Sequence, residues 1–265
     1  MKTIIITGST RGIGYAMARA FLDRGCRVLV NGRSQKSTQT AVEALTKNFP
    51  SDRLLGVPGG VSDFDQVQQL WDLGIEAFGQ IDIWINNAGI SHQQAPPWEI
   101  PADDLQAVIR TNILGELFGT QVAVQGFLQQ GYGAVYNVEG MGGDGKTHGL
   151  KGFSVYGMSK AGLHYFNHCL AEEVQGHNII TGALQPGMVL TDMITERYTN
   201  RPEDWEKDKK ILSLIANPIE DVAAWMAEKI LQNEKNGVYF KYSNNWRILK
   251  RMVLSVFQRK DQGKP

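Results

Sequence analysis

An apolar run, Thr3-Ile4-Ile5-Ile6-Thr7, passes straight into Gly8-Ser9-Thr10-Arg11-Gly12-Ile13-Gly14 and from there into a helical pattern. Few folds accept that order. Glycines at the end of a buried strand let the backbone approach a bound group closely. The helix that follows offers free N–H groups and the positive end of its dipole. The T-G-x-x-x-G-x-G spacing directly after a strand therefore predicts a cradle for a dinucleotide pyrophosphate, built from Gly8, Ser9, Thr10, Arg11, Gly12, Ile13 and Gly14.

The rest of the chain repeats the order of strand then helix. Runs at Thr3–Thr7, Arg27–Asn31, Arg53–Pro58, Asp82–Asn86, Ala134–Val138, Ile179–Gln185 and Val238–Lys241 read as strands. Helical patterns lie between them, at Ile13–Arg24, Thr38–Asn48, Phe64–Phe78, Ala102–Gln130, Val155–Val174 and Ile219–Gln232. This alternation predicts an α/β chain: a single-domain, Rossmann-type doubly wound parallel sheet of about seven strands, helices on both faces, ligand at the strands' carboxyl ends. The 265 residues suit one such domain, placed at 1–243. Met188–Pro218 interrupts the pattern with a charged stretch, Arg201–Lys210, and then Ile211-Leu212-Ser213-Leu214-Ile215. It reads as a cover over the site or as a plain surface insertion.

Lys plus Arg and Asp plus Glu total 27 each, so no net field favours nucleic acid. Cys26 and Cys169 stand far apart and form no metal or redox motif, which points to a reducing compartment and no metal. No apolar run approaches the ~18 residues of a membrane span. The first strand opens almost at the start, leaving no room for a targeting peptide; the expectation is the cytoplasm, or a presequence already removed.

The second strand bears on the choice of nicotinamide. An NAD enzyme usually holds the ribose diol with an acid at that strand's end. Here Val30-Asn31-Gly32-Arg33-Ser34 carries none. Arg33 is placed to meet a 2′-phosphate, and Arg11 in the loop can meet it too. Planar guanidinium forks suit such a dianion, so the expected cofactor is NADPH/NADP.

Tyr156-Gly157-Met158-Ser159-Lys160 sets a phenol and an ammonium one helical turn apart on one face. An ammonium beside a phenol favours the phenolate, so such a tyrosine can exchange a proton. With the glycine loop before it and Asn86-Asn87-Ala88-Gly89 between, this pair resembles the short-chain dehydrogenase/reductase family, whose members move hydride between a nicotinamide and a carbonyl or alcohol carbon. The resemblance covers nearly the whole chain. It implies Tyr156 as proton donor and Lys160 as the cation that supports it and holds the nicotinamide ribose. Asn112, in Arg110-Thr111-Asn112-Ile113, would complete a proton relay through water. Further implied cofactor contacts are Val61, Asn87, Ala88 and Gly89, then Pro186, Gly187, Val189 and Thr191, the last on the carboxamide. Pairing through the long helices into a homodimer or homotetramer is implied as well.

Two positions depart from the family pattern. An aspartate is expected before the valine that follows the third strand; Gly60 stands there, leaving the adenine to backbone or to Asp63. A serine is expected after the fifth strand as second donor to the substrate oxygen. The chain reads Asn137-Val138-Glu139-Gly140-Met141-Gly142-Gly143, with glycine in the serine's place. Losing such a donor costs on the order of 10²–10³ in rate. Ser154 and Thr147 are candidate replacements; space for a bulky substrate, or a loop that only lines the pocket, are the other readings.

These departures are themselves similar to chlorophyll(ide) b reductases, which use NADPH to reduce the 7-formyl group of chlorophyll b to hydroxymethyl. The segments Asp82–Gly89, Asn137–Gly143, Pro186–Val189 and the tail carry that likeness. It implies a hydrophobic, tetrapyrrole-like substrate. A different hydrophobic carbonyl (steroid or 3-oxoacyl) and a catalytically impaired NADP-binding sensor are the alternatives. In the tail, 244–265, Trp246, Leu249, Val253 and Val256 recur at helical spacing among Arg247, Lys250, Arg251, Arg259, Lys260 and Lys264. A basic amphipathic helix of this kind lies on an anionic, here photosynthetic, membrane surface, or packs on its own core or a second subunit.

Overall fold

The computed structural model describes residues 1–140, 151–198 and 202–242; Thr147 and the tail at 244–265 lie outside them. Seven strands, β1 (Thr3–Ile6), β2 (Arg27–Gly32), β3 (Leu54–Pro58), β4 (Ile83–Asn86), β5 (Gly133–Val138), β6 (Ile179–Gln185) and β7 (Val238–Lys241), form one sheet. Their order is β3-β2-β1-β4-β5-β6-β7, and every neighbouring pair is parallel.

A parallel sheet covered on both faces needs apolar residues at successive positions, not alternate ones. Ile4, Ile5 and Ile6 are accordingly all 0% exposed. Ile4, Ile6, Val28, Val30, Ile83, Ile85 and Tyr136 share one core with Met17 and Phe21 of α1 (Gly12–Asp23) and with Val222, Met226 and Ile230 of a helix at Ile219–Gln232. α2 (Gln35–Thr46) closes the edge of that face. Ile5, Leu29, Trp84 and Val135 face the other way. They meet Leu70 and Trp71 of α3 (Phe64–Phe78), and Val122 and Phe127 of a helix at Gly115–Gln130. Burying each such side chain contributes about 1.5–3 kcal/mol.

The expected continuous helix over 102–130 is interrupted. α4 (Ala102–Ile109) runs into a π turn at Arg110–Leu114, and α5 (Gly115–Gln130) follows. Asn112, inside that turn, holds the backbone of Ile90 through both amide atoms, and the helix carries the extra residue at that point. α6 (Ser154–Glu173) links β5 to β6. The segment after β6 contains two helices, α7 (Asp192–Thr195) and α8 (Pro202–Ile215), before α9 (Ile219–Gln232) returns the chain to β7. Proline in the first turn of α8 is a favoured helix start.

Candidate active site

Strands β1 and β4 are neighbours although two strands separate them in sequence, so the chain order reverses there and a crevice opens above their carboxyl ends. The glycine loop and Asn86–Gly89 both leave the sheet at this point. Gly8 has φ +61°, and a Cβ on it would lie 2.8 Å from Ala88 Cα. A Cβ on Gly14 would collide with Asn87 Nδ2 and sit 2.7 Å from Gly8 O. Asn87 Nδ2 donates to Thr7 O at 2.9 Å and to Gly8 O at 3.1 Å, while Thr7 Oγ1 accepts from the N–H groups of Asn87 and Ala88.

Asn31, passed over in the sequence, completes this frame. Its Oδ1 accepts from Gly8 N at 3.1 Å, and its Nδ2 donates to Val57 O and Gly59 O at 3.1 and 3.0 Å. One buried amide thus ties the loop to β2 and β3. Ser9 Oγ donates to Ile6 O at 2.7 Å and accepts from Asn31 N at 3.0 Å, while Ser9 N donates to Asn31 O at 2.8 Å, so hydroxyl and backbone both serve the frame. α1 starts after Arg11 with no side-chain cap, leaving its first N–H groups for an anion. The residues present therefore fit a dinucleotide.

The two arginines differ. Arg11 Nη1 reaches Glu196 Oε1 at 2.6 Å and Asp192 Oδ2 at 3.5 Å, and the hydrogen bond to Glu196 raises its already high pKa. Arg33, just past β2, is exposed and makes no ion pair among the described residues. Asp63 caps α3, its Oδ1 accepting from Gln66 N at 3.1 Å. Val61 is buried against Gly115. On the far side, Gly187 (φ +69°) turns the chain out of β6 between Pro186 and the buried Val189. Thr191 then comes within 3.8 Å of a Cβ placed on Gly12.

α6 delivers Tyr156 and Lys160 to the end of β5. Both are buried, and Lys160 Nζ donates to Val138 O at 2.9 Å. Asn112 Oδ1 accepts from Ile90 N at 2.8 Å, and its Nδ2 donates to Ser159 Oγ at 3.1 Å; Ser159 Oγ in turn donates to Tyr156 O at 2.7 Å. A Cβ on Gly89 would be 3.5 Å from Asn112 Oδ1 and 3.9 Å from Lys160 Nζ, so both head groups converge on that glycine. At Gly140 a Cβ would collide with Tyr156 Oη and lie 3.3 Å from Lys160 Cγ. The phenol fills the volume a serine would need. Ser154 is the exposed first residue of α6 and makes no hydrogen bond to Tyr156; residues two apart on a helix do not share a face.

Behind this trio lies a buried polar chain with no motif to announce it. Trp84 Nε1 donates to Asn86 Oδ1 (2.7 Å), Asn86 Nδ2 to Asn137 Oδ1 (2.9 Å), and Asn137 Nδ2 to Asn167 Oδ1 (2.5 Å). Asn167 Nδ2 then donates to Glu139 Oε1 at 3.1 Å, and His164 Nδ1 meets the same oxygen at 3.0 Å. Glu116 is 5% exposed, one turn past Asn112. Burial pushes its carboxyl up to about 8, with Lys160 pulling it down and Glu139 pushing it further up. A sequence signal existed: Glu116 is the only charged residue between 111 and 130.

The family model described as short chain dehydrogenase matches residues 2–202. Two Arabidopsis thaliana proteins, named probable chlorophyll(ide) b reductase and chlorophyll(ide) b reductase, are 30% and 34% identical over 99% and 86% of this chain. The chain spans 55% and 64% of their lengths. Carbonyl reductase family member 4 of Danio rerio is 32% identical over 72% of the chain and 77% of its own length. Among solved structures, levodione reductase superposes with TM-score 0.83 at 24% identity, covering 93% of this chain and 97% of its own. Actinorhodin polyketide ketoreductase, solved with NADPH, gives 0.80 at 24% identity, covering 91% and 95%. These two share the fold. No helix among the described residues is long and apolar enough to cross a membrane. Sheet order, loop and sequence match agree: the chain belongs to the short-chain dehydrogenase/reductase family.

Proposed function

We propose that the chain is an NADPH-dependent carbonyl reductase that converts the 7-formyl group of a chlorophyll(ide) b-type tetrapyrrole to hydroxymethyl. The observation that carries this reading is the Tyr156 hydroxyl packed against Gly140, in the volume a serine side chain there would need. The two plant relatives named for that reaction support the substrate class.

In this reading the loop of Gly8, Ser9, Thr10, Arg11, Gly12, Ile13 and Gly14, with the open N–H groups at the start of α1, holds the pyrophosphate. Arg33 meets the 2′-phosphate, supported by its exposed place after β2 and the lack of an acid there. Val61, Asn87, Ala88 and Gly89 line the adenosine side; Pro186, Gly187, Val189 and Thr191 flank the nicotinamide. When bound, the reduced nicotinamide supplies hydride to the formyl carbon. Tyr156 gives its phenolic proton to the carbonyl oxygen as charge develops there, so C=O becomes CH–OH. Lys160 offsets the phenolate left behind, and Asn112 belongs to the relay that returns the proton. Residues 188–218 are assigned as the substrate cover of a domain at 1–243, a reading supported by Arg11 of the glycine loop pairing with Asp192 and Glu196.

Anaerobic incubation of the full chain with chlorophyllide b and NADPH tests this. The 7-hydroxymethyl product is expected, with Tyr156→Phe slower by about 10²–10⁴-fold. Unchanged turnover in that variant would sink the mechanism; no product with NADPH still bound would transfer it to another apolar carbonyl. Met158 (56% exposed) and Tyr165 (73%) on α6, with Leu128 (47%) on α5, support pairing of copies through these helices, and light scattering checks it. The basic tail is assigned to an anionic membrane surface; equal liposome flotation with and without 244–265 would refute that.

A further inference from the structure

Two carboxyl groups are buried here, Glu139 next to the Val138 oxygen that holds Lys160 and Glu116 one turn past Asn112, and they are satisfied differently. Glu139 accepts from Asn167 at 3.1 Å, and its two oxygens lie 3.0 and 3.2 Å from His164 Nδ1. Glu116 has no such partners: its Oε1 is shut off from solvent without a hydrogen-bond donor among the described residues. An uncompensated buried carboxylate is costly, and the neutral acid is the form such a place accepts. Glu116 also stands four residues after Asn112, in the first turn of α5, where its backbone oxygen accepts from Asn86 Nδ2 at 3.3 Å. Among the described residues the charged groups acting on it are Lys160 from α6 and Glu139 from the end of β5. β4 presents only neutral Trp84 and Asn86, and α3 meets α5 through apolar rings, Phe64 on Phe118 and Trp71 on Phe127.

The geometry points to Glu116 as a positioning acid for the tyrosine: uncharged, it adds no second negative charge to that of Glu139 against the field of Lys160 while the Tyr156 hydroxyl gives up its proton. This rests on the carbonyl-reductase reading of the same site. The carboxyl is held up to about 8, so the effect is full below that pH. Above it the ionised acid opposes Lys160, the developing phenolate loses support, and reduction slows.

Glu116→Gln keeps the shape and removes the titration. Infrared difference spectra of the substrate-free full chain should show a protonated carboxyl band near pH 7 that fades toward pH 9 and is missing from E116Q. A wild type without that band at pH 7 would mean an ionised Glu116 and overturn the proposal. The phenolate difference absorbance of Tyr156, taken against Tyr156→Phe, should develop at lower pH in E116Q than in wild type. Coincident curves overturn the coupling even if the band is present. Neither reading needs turnover, so both stand whatever the substrate proves to be. With turnover in hand, the E116Q to wild-type kcat ratio should be about tenfold larger at pH 9 than at pH 7, the scale of one charge acting through protein. KM for NADPH should stay unchanged. A ratio independent of pH would leave Glu116 a packing role only and refute the idea. Should Glu116→Gln fail to fold, Glu116→Met, apolar and of similar size, must give the same shifts.

Discussion

At the β1–β4 switch point the loop is held by neutral groups: backbone against backbone at Gly8 and Gly14, and the amides of Asn31 and Asn87. At the end of β5 the site is held by ionisable side chains set together, the buried Lys160, Glu116 and Glu139 and the partly exposed His164. Those glycine and amide contacts hold nothing that titrates, so they respond to volume and not to pH. The second arrangement sets the Tyr156 hydroxyl where a Cβ on Gly140 would lie, and its energetics move with protons. One end of the crevice is a mould and the other a set of coupled charges.

The largest expected difference between the two is in stability against pH. Glu116 is raised to about 8 in the fold from an ordinary value of 4.5. Below the unfolded value both states hold the proton and nothing is lost. As pH climbs toward 8 only the unfolded chain releases it, and the fold loses on the order of 4 kcal/mol. Denaturant melts at pH 5 and pH 8 should show that loss in wild type and its disappearance in E116Q; parallel behaviour would break the contrast. Next in size is Gly140→Ser. Restoring the family's serine should lower kcat by about 10²-fold rather than raise it, because its Cβ displaces the Tyr156 hydroxyl. A faster enzyme would mean that the tyrosine can step aside. The smallest effect sharpens the loop side: Arg33→Ala should weaken NADPH about tenfold and leave NADH unchanged, read by fluorescence titration. Equal loss of both cofactors would remove Arg33 from the 2′-phosphate.

This contrast also explains what could be read in advance. The loop follows from glycine spacing and a strand, both local, and the strands lie within a residue or so of their apolar runs. Tyr156 and Lys160 share a face by helix periodicity alone. Asn31 could not be read that way, since its partners lie 23 and 26 residues off. Nor could the Asn86–Asn137 bond, across 51 residues, or the tie from Glu139 to His164, across 25. Polar residues on an apolar strand give no period, only an exception whose partner is elsewhere. Arg11 marks a different limit. Its position in the loop was plain, but its pairing with Glu196, 185 residues on, depends on how α7 and the turn after it return to the loop.

The π turn at Arg110–Leu114 has a consequence for the chain's tolerance of change. One residue more than an α-helix needs advances everything after it by about 100° about the axis. The faces that α4 and α5 bury are therefore out of phase by that step, and the stagger exists because Asn112 sits where it does. Deleting a single residue there would straighten the rod and rotate all 16 residues of α5 away from Trp71 and the sheet. Chemistry and register are written into the same turn, so neither can drift without the other.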